Sequence, residues 1–225
     1  MHAHSVAHVR AGTLCAVLLG AATLLPAQQV RYSGPQSGES LEPFSVLAVN
    51  GPEAGTEVDF ISRWGEDPML IIFLHQLDRN IAALLRPCEW FAHERAEAGL
   101  KSLIVFLHDD KIFGERRMQA VVKSMGIRIP VGVSVEGVEG PGPYGLNKSV
   151  AITILVAKNR KVTDNYAIVQ AGVVDAPKVL ESVAVHVGGD VDKLMARVHD
   201  ADQRAMMARR ARAMQAEQSK SDDSK

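Results

Sequence analysis

The chain has 225 residues, of which 47% are hydrophobic and 23% charged, with a formal net charge of −1 at pH 7. That apolar content supports a sizeable core and excludes a chain that stays unfolded for want of one. Near-neutrality removes any bulk electrostatic case for binding nucleic acid.

Residues 1–27 read as a secretory signal peptide. Arg10 and three histidines precede an apolar run from Gly12 to Leu25, and Leu25-Pro26-Ala27 offers a cleavage site. The run is too short to span a bilayer by itself. An uncleaved membrane anchor is the alternative reading. Cys15 lies early in the run rather than just after it, which argues against a lipoprotein. Cleavage removes Arg10 and no acid, taking the formal charge from −1 to −2, and leaves Cys88 as the only thiol. The chain is thus expected to be exported, to the periplasm or the cell exterior, without an internal disulfide.

Residues 28–42 are polar and carry Gly34, Pro35 and Gly38, as a linker or extended lead-in would. Phe44 to Val49 is a short strand stopped by Asn50-Gly51-Pro52. Met69–His75 is an unbroken apolar run after Asp67-Pro68, the pattern of a central strand covered on both faces. Leu77, Ile81, Leu84, Cys88, Phe91 and Ala92 then recur at helical spacing and predict a helix with one buried stripe, kinked by Pro87. Leu103–Leu107 is a strand, and Lys111–Met125 a helix ended by Gly126. Pro130–Val135 is a strand and Glu136–Pro143 a Gly/Pro-rich loop. Val150–Ala157 and Lys161–Val169 form a hairpin around Lys158-Asn159-Arg160. Ala176–Val187 is a helix with Asp175 as N-cap and Pro177 in its first turn. After Gly188-Gly189, Asp190–Gln218 is a second helical stretch and Ser219–Lys225 a disordered polar tail. This order predicts a mixed sheet with helices on both faces, and parallel strands around the first helix.

The layout over residues 36–187 resembles the thioredoxin-like superfamily, in its redoxin and peroxiredoxin-type branch. Pro68-Met-Leu-Ile-Ile-Phe73 is similar to that family's central strand, and the helix containing Pro87 to its kinked active-site helix. Tyr144-Gly145-Leu146 resembles the aromatic-Gly-Val before its cis-proline. Val150-Ala-Ile-Thr-Ile-Leu-Val156 with Asn159-Arg160-Lys161-Val162 resembles the strand and hairpin beyond it. The resemblance implies an α/β, three-layer thioredoxin-like fold over residues 43–187, extended by a C-terminal helix and tail over 188–225. It implies no cofactor and no metal.

The family's chemistry requires a thiolate at the N-terminus of the active-site helix, where helix dipole and free N–H groups lower its pKa. Here the matching positions are Asp78, Arg79, Asn80 and Ile81, and Ala151 stands where the cis-proline would be, so a trans bond is expected. Both halves of the redox site are replaced.

Six features bear on chemistry or binding. Cys88 serves either a one-cysteine peroxidase or a buried helix stripe; its place on the core face favours burial. His75 and Asp78 make either an acid–base pair or a strand-end residue and a helix cap. His108, Asp109 and Asp110 with His75 make either a metal site or a solvated loop, and their spacing matches no ligand pattern. His75, Tyr144 and Val150 line the groove that the family uses for substrate, and the long loop Glu136–Tyr144 stands beside it as a partner contact. Arg204–Met214, with methionines at 206, 207 and 214 and arginines at 204, 209, 210 and 212, is either a weak partner- or membrane-contacting face or a solvated helix held by pairs such as Asp200–Arg204. The expectation is a redox-inactive module that binds protein or peptide; the alternative is a thiol oxidoreductase or peroxidase using Cys88.

Overall fold

The computed structural model describes residues 31–222, with side chains placed to residue 215. The signal-peptide segment, Cys15 and the end of the tail lie outside the described residues. In chain order the elements are β1 Val46–Ala48, β2 Glu57–Val58, α1 Phe60–Trp64, β3 Met69–Leu74, α2 Arg79–Arg95, β4 Lys101–Phe106, α3 Lys111–Met125, β5 Val131–Ser134, β6 Ile152–Lys158, β7 Lys161–Ile168, α4 Ala176–Val187 and α5 Val191–Asp222. The helix α5 thus runs through Ser219, where the sequence reading begins a disordered tail.

The strands form one mixed sheet in the order β2-β1-β5-β4-β3-β6-β7. β3 pairs parallel with β4 and antiparallel with β6, so Ile72 lies between Ile104 and Ile154. Every residue of β3 is buried, which is why its run is apolar at both odd and even positions. Leu70, Ile72 and Leu74 face a core built with α2, α3, α4 and α5. Met69, Ile71 and Phe73 face the other side, where Phe60 and Ile61 of α1 meet Leu41, Phe44, Tyr144 and Leu146. The second helical layer is therefore thin: one short helix completed by irregular chain. The run of parallel crossovers through β3, α2, β4, α3 and β5 puts α2 and α3 on the same face.

Local signals set the boundaries. Asp78 caps α2 through Ile81 N–H at 2.9 Å, and Asp110 caps α3 through Phe113 N–H at 2.9 Å. Gly126 ends α3 with a left-handed backbone, φ 67°. α2 continues through Pro87, which removes one helical donor. Asn159 and Arg160 both have positive φ, as a tight hairpin turn between β6 and β7 requires. Asp175 precedes α4 but is not its side-chain cap: its carboxylate accepts Gly172 N–H instead, closing the preceding turn. The true aspartate cap nearby is Asp190, which accepts Lys193 N–H at the start of α5.

The lead-in is extended and fastened to the body. Leu41 N–H donates to the Arg160 carbonyl and Gly38 N–H to the Val162 carbonyl, while Val162 N–H donates to the Glu39 carbonyl. Asn165 Nδ2 donates to the Ser33 and Pro35 carbonyls at 2.8 Å. These bonds cover part of the outer edge of β7, which would otherwise offer free backbone groups for strand addition.

Candidate functional site

The expected site lies where β3 hands over to α2, at the rim of the sheet to which ligands come in open α/β folds. The β3–α2 loop is tied down by its own backbone. His75 and Gln76 N–H both donate to the Ala151 carbonyl, at 3.1 and 3.2 Å, and Ala151 N–H donates to the Ile168 carbonyl. Val150 N–H donates to the Asn147 carbonyl. In the family that the sequence resembles, backbone at this point holds substrate. Here Ala151 has both backbone groups bonded internally, and no cis peptide bond occurs among the described residues.

Asp78 occupies the first position of the expected redox tetrad and acts as the helix cap. Arg79 and Asn80 are exposed on the first turn, and Ile81 is buried in the core. The N-terminal field of α2, which would lower a thiol pKa, is already met by the Asp78 carboxylate. Cys88 lies further along the helix with no accessible surface, packed among the α2 and β3 side chains, and burial pushes its thiol pKa up to about 12.

His75 is the unusual residue of the rim. Neither buried ring nitrogen makes a hydrogen bond of good geometry. The Val138 and Val150 carbonyls and the Glu139 carboxylate favour the protonated ring, and Lys148 opposes it. Desolvation outweighs the favourable groups and holds the pKa below the ordinary histidine value. The first of two 3₁₀ turns, Gly137–Glu139, lies beside the ring, and Gly142–Tyr144 follows it in the same loop. That loop is pinned at several points. Val138 N–H donates to Asp109 Oδ1 and Gly142 N–H to Glu136 Oε2, each at 2.9 Å, and Lys148 pairs with Glu139. Gly140 is required where the loop crosses the rim: a Cβ there would lie 2.6 Å from Leu146 Cδ1.

The other expected rim residues fare differently. Val150 is buried beside His75, as its place in the sequence suggests. Tyr144 is not on an open rim. It is buried between Phe44 and Phe73, at 5.0 and 5.4 Å between ring centroids, and its hydroxyl donates to the Glu42 carbonyl. Burial raises its pKa. His108 Nδ1 accepts Asp110 N–H, and the ring stacks on Phe106. With Asp109 and Asp110 serving as a loop anchor and a helix cap, this cluster is structural. No group of three or more His, Cys, Asp or Glu placed to hold a metal occurs among the described residues.

Glu89 went unnoticed in the sequence. It is a buried carboxylate, 3% exposed, on α2 next to Cys88. Its partner is Arg128, which gives it three hydrogen bonds, from backbone N–H at 2.9 Å, Nε at 3.0 Å and Nη2 at 3.1 Å. The only available signal was a charged residue one position from the apolar stripe.

The orphaned His75 ring leads to a prediction. An unfolded imidazole protonates near pH 6.5, whereas the folded ring stays neutral to lower pH. The unfolded state therefore binds the proton first, and stability is lost as pH falls below about 6.5. His186, also lowered by burial, acts in the same direction, so the informative quantity is a difference. His75→Phe is expected to be more stable than wild type by about 1 kcal/mol at neutral pH, with the gap widening toward pH 5. Urea midpoints across pH measure it, and parallel profiles would remove His75 from this role.

No protein-family model matches the chain, and neither does any curated protein sequence. Solved structures do. The chain is similar to peroxidoxin BcpB from Mycobacterium tuberculosis, with 16% identity and a TM-score of 0.51, over 67% of this chain and 97% of that one. It is also similar to the hypothetical protein SMc02350 from Sinorhizobium meliloti 1021, with 17% identity and a TM-score of 0.51, over 71% of this chain and 91% of that one. Together with the sheet order, these likenesses give the chain a thioredoxin-like fold.

Proposed function

We propose that this thioredoxin-like domain is a redox-inactive module that binds protein or peptide through the rim around His75. The observation that carries the reading is the helix N-terminus of α2, where the Asp78 carboxylate takes Ile81 N–H and no thiol is present from Asp78 to Ile81. A thiolate needs that position, because there the helix dipole and free N–H groups stabilise it. The exposed groups beside it are Gln76, Asp78, Arg79 and Asn80, all able to hydrogen-bond a backbone or polar side chain. The module acts outside the cytoplasm, exported by way of its first 27 residues to the periplasm or beyond. Among the described residues no helix is long and apolar enough to cross a membrane.

The test is reduction of a disulfide-bonded protein substrate, followed by turbidity, with the wild type and Cys88→Ser side by side. The expected result is no rate above the uncatalysed background in either. A wild-type rate abolished by Cys88→Ser would instead establish a thiol oxidoreductase.

A further inference from the structure

Independently of the rim, α5 divides into two unlike halves. The near half is docked. Val191, Leu194 and Val198 are buried, and the Arg86–Asp202 and Arg197–Glu94 ion pairs fasten it to α2. Beyond Asp202 every residue to Gln215 is exposed, including Met207 at 62% and Met214 at 65%. At 3.6 residues per turn, Met207, Ala211 and Met214 share one side of the helix with Ala196, opposite the docked side. Charge is also divided lengthwise. The near half and its cap carry Asp190, Asp192, Asp200 and Asp202 against Lys193 and Arg197, of which Arg197 is paired with Glu94 of α2 and Asp202 with Arg86, so this half is net acidic. The stretch from residue 203 to 215 carries Arg204, Arg209, Arg210 and Arg212 and no acid. Asp200 and Arg204, the example of a pair that would hold a solvated helix, form no ion pair with each other, so both charges stay available.

We propose that a second copy of this chain covers this face, the two α5 helices pairing antiparallel and crossing near Asp202. A two-fold axis requires the same patch on both copies to be self-complementary. An antiparallel crossing meets that condition, because each basic half then lies on the other copy's net acidic half. The side-chain register agrees. Asp192 lies beside Arg210 of the other copy and Asp200 beside its Arg204, each pair on the same flank of the helix. Ala196 lies opposite Met207, small against large. The junction of α4 and α5 adds a receiving surface for the incoming arm: Val185 of α4, 81% exposed, in a shallow cleft edged by Glu181, Asp190 and Asp192. A parallel pair would set arginine against arginine. A membrane surface would need a broad apolar face, and here Arg210 flanks a narrow one.

Sedimentation of the full chain at about 50 μM and low ionic strength should show a dimer that loosens as salt rises. Arg204→Glu with Arg210→Glu should weaken association by about tenfold or more. Adding Asp192→Lys and Asp200→Lys to the same chain should restore it, since every charge pair is then reversed. Helix content by circular dichroism should be unchanged, because all four side chains are exposed. A chain carrying Asp192→Cys and Arg210→Cys should cross-link between positions 192 and 210. Cross-linking of position 192 to itself would overturn the antiparallel arrangement. So would a monomer at all concentrations, a dimer indifferent to charge reversal, or a monomer that binds phosphatidylglycerol vesicles through this helix.

Discussion

Alkylation of Cys88 in the folded protein is expected to run about a thousandfold or more slower than in denatured protein at pH 8. Two consequences of the same burial point the same way. The thiolate is the reacting species, and a thiol with pKa about 12 holds roughly one ten-thousandth of itself as thiolate at pH 8, against about a quarter for an unperturbed thiol. Access is closed by the same packing, because Cys88 has no exposed surface and lies in the main core with Leu70, Ile72, Leu84 and Leu85. Labelling must wait for α2 to open, so its rate should rise with urea in step with unfolding. The experiment follows the mass of the Cys88 peptide with time. Fast labelling of the native protein with ionisation near neutral pH would instead mark an activated thiol and revive the peroxidase reading.

Replacing Arg128 by methionine is expected to cost about 2–3 kcal/mol, and replacing Glu89 by leucine in the same chain to recover most of it. The reason is an asymmetry. Glu89 is almost fully buried, whereas the Arg128 side chain is about half exposed. Removing the guanidinium leaves a carboxylate in the core with only the Arg128 backbone N–H at 2.9 Å to stabilise it. Its partner, left alone, can turn to water, so Glu89→Leu by itself should cost less, about 1 kcal/mol. The range is set below that of a fully buried pair because solvent already screens the arginine. Urea unfolding of the two single variants and the double variant measures the coupling. A double variant as unstable as Arg128→Met would show that the pair does not act as a unit.

The core elements were legible because their signals are local and repeated. The apolar run Met69–Leu74, the stripe through Ile81, Leu84 and Cys88, and the Gly126 stop each point to one structure, and α3 and α4 appear where the pattern puts them. The elements that escaped are those too short to establish a period: β2 has two residues and α1 five. The mixed outcome at the rim has a different cause. His75, Val150 and Ala151 come together because they flank paired strands, which a family likeness can anticipate. Tyr144 is turned into the second core by Phe44 and Phe73, and nothing adjacent to it in sequence says so. Glu89 needed Arg128, distant in sequence, to make sense. Polar residues are the hardest to place in advance, since their burial depends on a partner that the local pattern does not name.

The lead-in has a consequence for when the molecule can fold. Ser33 Oγ meets Thr153 Oγ1 at 2.6 Å across a sequence separation of 120, and Asn165 holds the Ser33 carbonyl across 132. β3, at the centre of the sheet, is likewise completed by β6, which lies far downstream. A ribosome making this chain from its N-terminus releases the first strands long before the residues that secure them exist. Contacts of such long range close late and slow the search for the native state. The early chain would therefore stay open during synthesis, a condition under which a polypeptide can still be threaded through a narrow channel.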